Sequence, residues 1–201
     1  TFSTPVTVTG AVNMSDCITH LRSVLPDDAI LTNGAGNFAA WLHRFHRHRA
    51  RRTQLAPTSG AMGYGFPAAV AAKSAHPGRD VICIAGDGDY MMTGQELATA
   101  VQYGINVVTV IVDNGTYGTI RMHQEGHYPG AERVIATDLV NPDFVKYAEA
   151  FGAFGIRCES TEAFPAALAA ARNAGRPAIV HLLTSAEDIA PGRTITAMRG
   201  G

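Results

Sequence analysis

The stretch AGDGDYMMTG, Ala85–Gly94, places two aspartates among glycines directly after an apolar run. Gly86 and Gly88 flank Asp87, so the backbone there can turn sharply and approach a ligand closely. Free backbone amides ahead of a helix favour a phosphate. Two carboxylates beside a phosphate would repel it unless a cation lies between them. Magnesium suits that place, because it takes oxygen ligands from one or two side chains together with phosphate oxygens and water. Asn114 offers a neutral carbonyl oxygen 27 positions after Asp87. On its own, Gly-Asp-Gly is equally compatible with a plain turn. The partnership with an asparagine loop after a second apolar run is what favours a site.

Other phosphate and metal patterns do not fit. Counting Asp87 as position one of a calcium-binding EF-hand loop, position twelve is Ala98, where a glutamate is required. No G-x-G-x-x-G follows a strand-like run, and no G-K-[ST] is present. Cys17, Cys83 and Cys158 are far apart and match no zinc spacing, and their odd number argues against a disulfide scaffold. A reducing, cytoplasmic setting is expected.

The elements that must carry these loops follow from the apolar pattern. AILTN (Ala29–Asn33), DVICIAGD (Asp80–Asp87), NVVTVIVDN (Asn106–Asn114), AFGIRC (Ala153–Cys158) and PAIVHLLT (Pro177–Thr184) read as strands. Between them, Phe38–His48, Gly65–Ala75, Thr93–Gly104, Asn141–Gly152 and Thr161–Gly175 read as helices. Thr93 is the expected N-cap of its helix, and Gly104 and Gly175 the stops. Uninterrupted apolar strands alternating with helices indicate a parallel sheet covered on both faces. In such sheets ligands bind beyond the carboxyl ends of the strands. Three polar clusters fall at such ends: TNGAGN (Thr32–Asn37), GDGD after Ala85, and DNGTYG after Val112.

Composition limits the partners. The chain has 201 residues, 46% hydrophobic and 16% charged, enough apolar material for one substantial core. A net charge of −1 gives no global attraction to nucleic acid or acidic membranes. The basic run LHRFHRHRARR (Leu42–Arg52) reads as a solvated helix face or subunit contact, since stacking aromatics beyond Phe45 are missing from it. No apolar run approaches the roughly 20 residues of a membrane helix. Residues 1–11 read as a linker rich in Thr, Ser, Pro and Gly, residues 12–186 as the domain, and residues 187–201 as an irregular tail.

GDGDYMMTGQELATAVQYGINVVTVIVDNGTYG (Gly86–Gly118) resembles the thiamin-diphosphate signature, a Gly-Asp-Gly followed by an Asn pair, with Asp113 in place of the first Asn. TSGAMGYGFPAAVAAKSAHP (Thr58–Pro77) and TNGAGNFAAW (Thr32–Trp41) resemble the blocks before that signature in acetolactate synthase and its relatives. The resemblance runs from about residue 12 to about residue 185. It implies an α/β fold: a doubly wound, mainly parallel six-stranded sheet with helices on both faces. It implies the diphosphate-binding domain of a thiamin-diphosphate- and Mg2+-dependent enzyme that decarboxylates or carboligates 2-keto acids.

The resemblance also assigns roles by position. Asp87 and Asn114 would ligate Mg2+ through their side chains and Thr116 through its carbonyl. Gly86, Gly88 and Asp89, with Gly36, Asn37, Phe38, Tyr117 and Gly118, would surround the diphosphate. Gly60, Ala61 and Met62 would receive the aminopyrimidine, with the Met62 side chain wedged beneath the thiazolium. Asp89 stands where many relatives carry a small hydroxyl residue, so its carboxylate must be offset by magnesium or an amide, or turn away. The activating glutamate of the family belongs to a pyrimidine-binding domain, usually of a partner subunit in a homodimer or homotetramer. No residue here matches it, so the isolated chain is expected to be inactive. FAD, which some relatives hold, would belong to a middle domain outside this chain.

One departure concerns the substrate. Met122-His123 stands where biosynthetic acetolactate synthases carry Gln-Trp, so other decarboxylases of the group, such as benzoylformate decarboxylase-like enzymes, fit as well. His123 is a candidate proton-transfer residue, since imidazole titrates near neutrality. A surface or subunit-contact histidine is the competing reading. A non-catalytic thiamin-diphosphate-binding module and a flavodoxin-like phosphate binder are the alternatives from other classes.

Overall fold

The computed structural model describes residues 4, 6–128 and 134–199. Residues 1–3 and 5 of the expected linker, 129–133 after the Met122-His123 segment, and 200–201 of the expected tail lie outside the described residues.

Strands β1 (Ile30–Asn33), β2 (Gln54–Leu55), β3 (Val81–Gly86), β4 (Val108–Asp113), β5 (Phe154–Cys158) and β6 (Ala178–Leu183) form one sheet, ordered β2-β1-β3-β4-β6-β5. Every pairing is parallel. β3 and β4 are buried at all positions, which is why their sequences run apolar without alternation. Their alternate side chains feed two cores. Ile82, Ile84, Val108, Val110 and Val112 pack with helices α1 (Met14–Val24), α2 (Phe38–Phe45) and α8 (Phe164–Arg172). Val81, Cys83, Ala85 and Ile111 pack on the other face with α3 (Gly65–Ala75), α4 (Asp87–Tyr90), α5 (Leu97–Gln102) and α7 (Phe144–Ala150). Helices therefore cover both faces, as expected of a doubly wound sheet.

The strand order has one consequence for function. β1 leads to β2 on one side, whereas β3 leads to β4 on the other. The loops leaving β1 and β3 diverge, and the crevice between them is the switch point where such sheets bind ligands.

Several elements differ from expectation. α2 ends at Phe45 rather than His48, because the chain becomes extended at His46 and reverses to enter β2. Thr93 does not cap a long helix. A 3-10 turn, Gly94–Glu96, precedes α5, and the Thr93 hydroxyl donates instead to the Gly63 carbonyl at 2.7 Å. α7 starts at Phe144 under an Asp143 cap that accepts from Val145 and Lys146. Asn141 precedes a proline, a position that disfavours helix, and its side chain is used elsewhere. α1, β2, α4, α6 (Gly118–His127) and α9 (Ile195–Arg199) had no counterpart in the sequence reading.

Described residues near the start and finish of the sequence pack on the domain. Asp188 accepts hydrogen bonds from the Thr9 amide and hydroxyl and the Gly10 amide. Arg199 of α9 grips the buried Glu125 of α6 through two bonds, 2.7 and 2.6 Å. Among the described residues no helix is long and apolar enough to cross a membrane.

Candidate functional site

A cleft of about 280 Å³ opens at the carboxyl ends of β1, β3 and β4. Its wall includes Gly36, Asn37 and Phe38 after β1, Gly86, Asp87, Gly88 and Asp89 after β3, and Asn114, Thr116, Tyr117 and Gly118 after β4. Gly60 and Met62 close one side. The sequence-predicted residues thus converge, with two exceptions. Ala61 is exposed and does not line the cleft, and His123 lies on the exposed side of α6, its ring 5.8 Å from that of His127.

The backbone is arranged for an anion. α2 and α6 both begin at the cleft, and neither has a side chain capping its first turn. In α2 the Ala39 and Ala40 amides are taken by the Gly36 and Asn37 carbonyls, so the first amides of α6 and the dipoles of both helices are what a ligand can use. Close packing dictates the glycines. A Cβ at Gly86 would come 2.7 Å from the Phe38 ring, and one at Gly88 2.4 Å from Tyr117. Gly60 and Gly63 have φ of +69° and +83°, a left-handed turn that suits glycine.

The electrostatics favour a cation beside any anion bound here. Among the described residues, the cleft wall contains Asp87, Asp89 and Asp188 but no lysine or arginine. Two like charges about 4 Å apart repel by about 4 kcal/mol at an effective dielectric of about 20. An anion among these carboxylates needs a metal to offset them. Asp87 and Asn114 would supply side-chain oxygens and Thr116 a carbonyl, an all-oxygen set that suits a hard divalent cation. Among the described residues, Asn114 Oδ1 accepts only the Thr116 amide, at 3.2 Å, which leaves it a lone pair. Among the described residues no three His, Cys, Asp or Glu gather into an all-protein cage. A site built of one carboxylate, one amide and one carbonyl, completed by phosphate oxygens, needs none. The residues present therefore fit the expected ion.

The two aspartates of the Gly-Asp-Gly-Asp loop have different surroundings. Asp87 is buried, and burial pushes its carboxyl up to about 6 against the pull of Asn141 and Gly88. A nearby cation reverses that penalty by favouring the ionised form. Asp89 is also buried, and burial pushes it up to about 6. Its Oδ1 accepts the amides of Ala35 (3.1 Å) and Gly63 (2.8 Å), while Oδ2 is buried without a partner. The carboxylate of Asp89 is thus committed to backbone amides on either side of the cleft.

Three sets of contacts escaped the sequence reading. Asn37 does not cap α2. Its Oδ1 accepts the Thr119 hydroxyl at 3.0 Å and its amide reaches Met122 Sδ at 3.5 Å, tying the β1 loop to α6. Asp113 bonds to His181 of β6 at 2.8 Å, a residue 68 positions away. Burial raises the Asp113 carboxyl, yet the bond to His181 leads a set of contacts that hold it below the usual carboxylate range. Asn141 donates to both Asp87 and Asp113. Only the polar character of Asn141 and His181 beside apolar runs could have drawn attention to them.

Comparison with known proteins agrees with this geometry. The family model described as "Thiamine pyrophosphate enzyme, C-terminal TPP binding domain" matches residues 34–182. The chain is 37% identical over 173 residues to the acetolactate synthase large subunit of Parasynechococcus marenigrum, covering 85% of this chain and 28% of that protein. It is 40% identical over 159 residues to acetolactate synthase of Mycobacterium bovis, covering 76% of this chain and 25% of that protein. Among solved structures, the thiamine diphosphate-dependent 4-hydroxybenzoylformate decarboxylase of Rhodococcus jostii superposes with a TM-score of 0.83 at 31% identity. That likeness covers 90% of this chain and 34% of the other. The chain spans between 25% and 34% of the length of these relatives.

Proposed function

The chain belongs to the thiamine pyrophosphate enzymes as their C-terminal cofactor-binding domain, and from that premise we propose that it holds the diphosphate and Mg2+ in an enzyme acting on 2-keto acids. The observation that carries the proposal is the switch-point cleft, where Asp87, Asn114 and Thr116 meet helix starts without side-chain caps and, among the described residues, without a lysine or arginine. When bound, thiamin diphosphate supplies the electron sink that lets a 2-keto acid lose carbon dioxide.

The chain's own residues bind and orient. Asp87 and Asn114 hold the metal through side-chain oxygens and Thr116 through its carbonyl. Gly36, Asn37, Phe38, Gly86, Gly88, Tyr117 and Gly118 surround the diphosphate, with Asp89 bracing that end of the pocket. Gly60 and Met62 receive the aminopyrimidine, with the exposed Ala61 only linking them, and the unbranched Met62 side chain suits a wedge beneath the thiazolium. His123, just beyond the cleft-lining Thr119 and Ile120 on α6, is the proposed proton-transfer residue.

Catalysis requires more than this chain. The activating glutamate is assigned to a pyrimidine-binding domain of the same full-length protein in a partner subunit, giving a homodimer or homotetramer. Nucleic acid and membranes are not among the proposed partners. The cytoplasm is the proposed compartment, in keeping with three buried free cysteines. The isolated chain should show no turnover.

Acetolactate-synthase-like chemistry is the leading reading. A decarboxylase of aryl 2-keto acids is the second, favoured by Met122-His123 and by the likeness to the 4-hydroxybenzoylformate enzyme. Assaying the full-length protein with pyruvate and with benzoylformate separates them. Acetolactate from pyruvate supports the first, and aldehyde from benzoylformate the second. Cofactor binding with no carbon dioxide released from any 2-keto acid tested would reduce the chain to a binding module.

A further inference from the structure

Asn141 lies 54 positions after Asp87 and outside every motif of the cofactor signature. The chain delivers it by a short pairing with the metal loop. Leu139 donates its amide to the Gly115 carbonyl at 2.8 Å, and Tyr117 donates to Thr137 at 2.8 Å. The Thr116 hydroxyl also donates to the Thr137 carbonyl. This pairing carries the chain to Asn141, whose side chain reaches beneath the loop.

The two hydrogens of the Asn141 amide go to different carboxylates. Nδ2 donates to Asp87 Oδ2 at 2.7 Å and to Asp113 Oδ1 at 2.8 Å. The Gly115 amide bridges the same two oxygens, at 2.9 and 3.0 Å. Asp113 is held from its other side by His181. The effect on Asp87 follows from lone-pair counting. A carboxylate oxygen has about two acceptor positions. Asp87 Oδ2 has both filled, by Gly115 and Asn141. Among the described residues, Asp87 Oδ1 accepts only the Gly88 amide, at 2.9 Å, and keeps one position open.

We propose that Asn141 is a positioning residue that makes Asp87 a one-oxygen metal ligand through Oδ1, and thereby favours Mg2+ over Ca2+. The proposal rests on the reading of Asp87 as the metal ligand given above. Its basis is the different coordination of the two ions. Mg2+ demands a near-octahedral shell at short distances, whereas Ca2+ accepts six to eight ligands and bidentate carboxylates. An Asp87 with Oδ2 already bonded twice cannot offer both oxygens. Without Asn141, one of the two positions on Oδ2 opens while Gly115 keeps the other, and the carboxylate can turn into a bidentate pose that suits the larger ion. Partners of metal-ligating groups typically contribute about 10–100-fold to metal affinity.

The test is calorimetric titration of Mg2+ and of Ca2+ into the full-length protein carrying this chain, at saturating thiamin diphosphate. Wild type is compared with Asn141→Ala and with Asn141→Ser, which keeps one donor and guards against a variant that fails to fold. The expected result is an Mg2+ affinity at least tenfold weaker in Asn141→Ala, with Ca2+ affinity changed less than threefold, and an intermediate ratio in Asn141→Ser. A merely structural role would weaken both ions alike. Equal losses for the two ions, or an Mg2+ affinity within threefold of wild type, would overturn the proposal while leaving the metal site standing. Wild type that binds the cofactor without any metal dependence would remove the site itself, and the role of Asn141 with it.

Discussion

The Asp89 carboxylate accepts the Gly63 amide at 2.8 Å and, through the same oxygen, the Ala35 amide at 3.1 Å. One side chain from the loop after β3 therefore braces both the loop after β1 and the turn that follows β2. Thr93 completes the brace by donating to the Gly63 carbonyl. The second aspartate of the Gly-Asp-Gly-Asp loop is a clasp between the walls of the cleft, while the first is free to face a cation.

The clasp carries a pH signature. Burial pushes the Asp89 carboxyl up to about 6, from 3.8. A carboxylate with a raised folded value holds its proton longer in the folded state. The contribution of Asp89 to stability is therefore greatest below about pH 4, falls between about pH 4 and pH 6, and levels off above. A shift of this size corresponds to about 3 kcal/mol at neutral pH. Asp89→Asn keeps an acceptor for Ala35 and Gly63 but removes the buried charge. Metal-free Asp89→Asn should melt at higher temperature than wild type above pH 6, with the difference vanishing near pH 4. Thermal unfolding across that range checks it, and parallel curves would contradict it.

Gly34 is the steric counterpart of the clasp. A Cβ at Gly34 would lie 2.0 Å from both Asp89 carboxylate oxygens. Gly34→Ala must displace the carboxylate and strand two amides, a cost of about 2–5 kcal/mol from overpacking and lost hydrogen bonds. Urea unfolding measures it. A change under about 0.5 kcal/mol, the scatter of ordinary surface substitutions, would show that the loops are not braced as described.

Much of this arrangement was legible in the sequence, for a physical reason. β3 and β4 are covered on both faces, so their burial appears as uninterrupted apolar runs, and the glycines and acids at their ends stand out against them. The three strand ends named from the sequence are those that meet at the cleft. β2 was invisible because two exposed residues carry no pattern. α6 was invisible because GTIRMHQEGH has few apolar residues and no capping side chain. Asp89 showed its charge but not its direction, which depends on amides 54 and 26 positions away. The network of Asp113, His181 and Asn141 joins strands distant in sequence, and periodicity contains no information about such pairings.

His123 tests the catalytic part of the proposal. It sits exposed on α6, one turn past Thr119, and makes no contact with Asp87 or Asn114 in the hydrogen-bond network. His123→Ala in the full-length protein should lower kcat by about 100-fold or more, the usual contribution of a general acid or base, with cofactor affinity unchanged. An unchanged kcat would assign His123 to the surface instead.

The central claim is that the cleft binds thiamin diphosphate through a divalent cation held by Asp87, and calorimetry on the full-length protein tests it most directly. Thiamin diphosphate is titrated with Mg2+ present, with EDTA in its place, and with Mg2+ into Asp87→Ala. Saturable binding with Mg2+, lost in EDTA and weakened at least 100-fold in Asp87→Ala, is the predicted result. Binding of equal strength with and without the metal, or unaffected by the loss of Asp87, would contradict it.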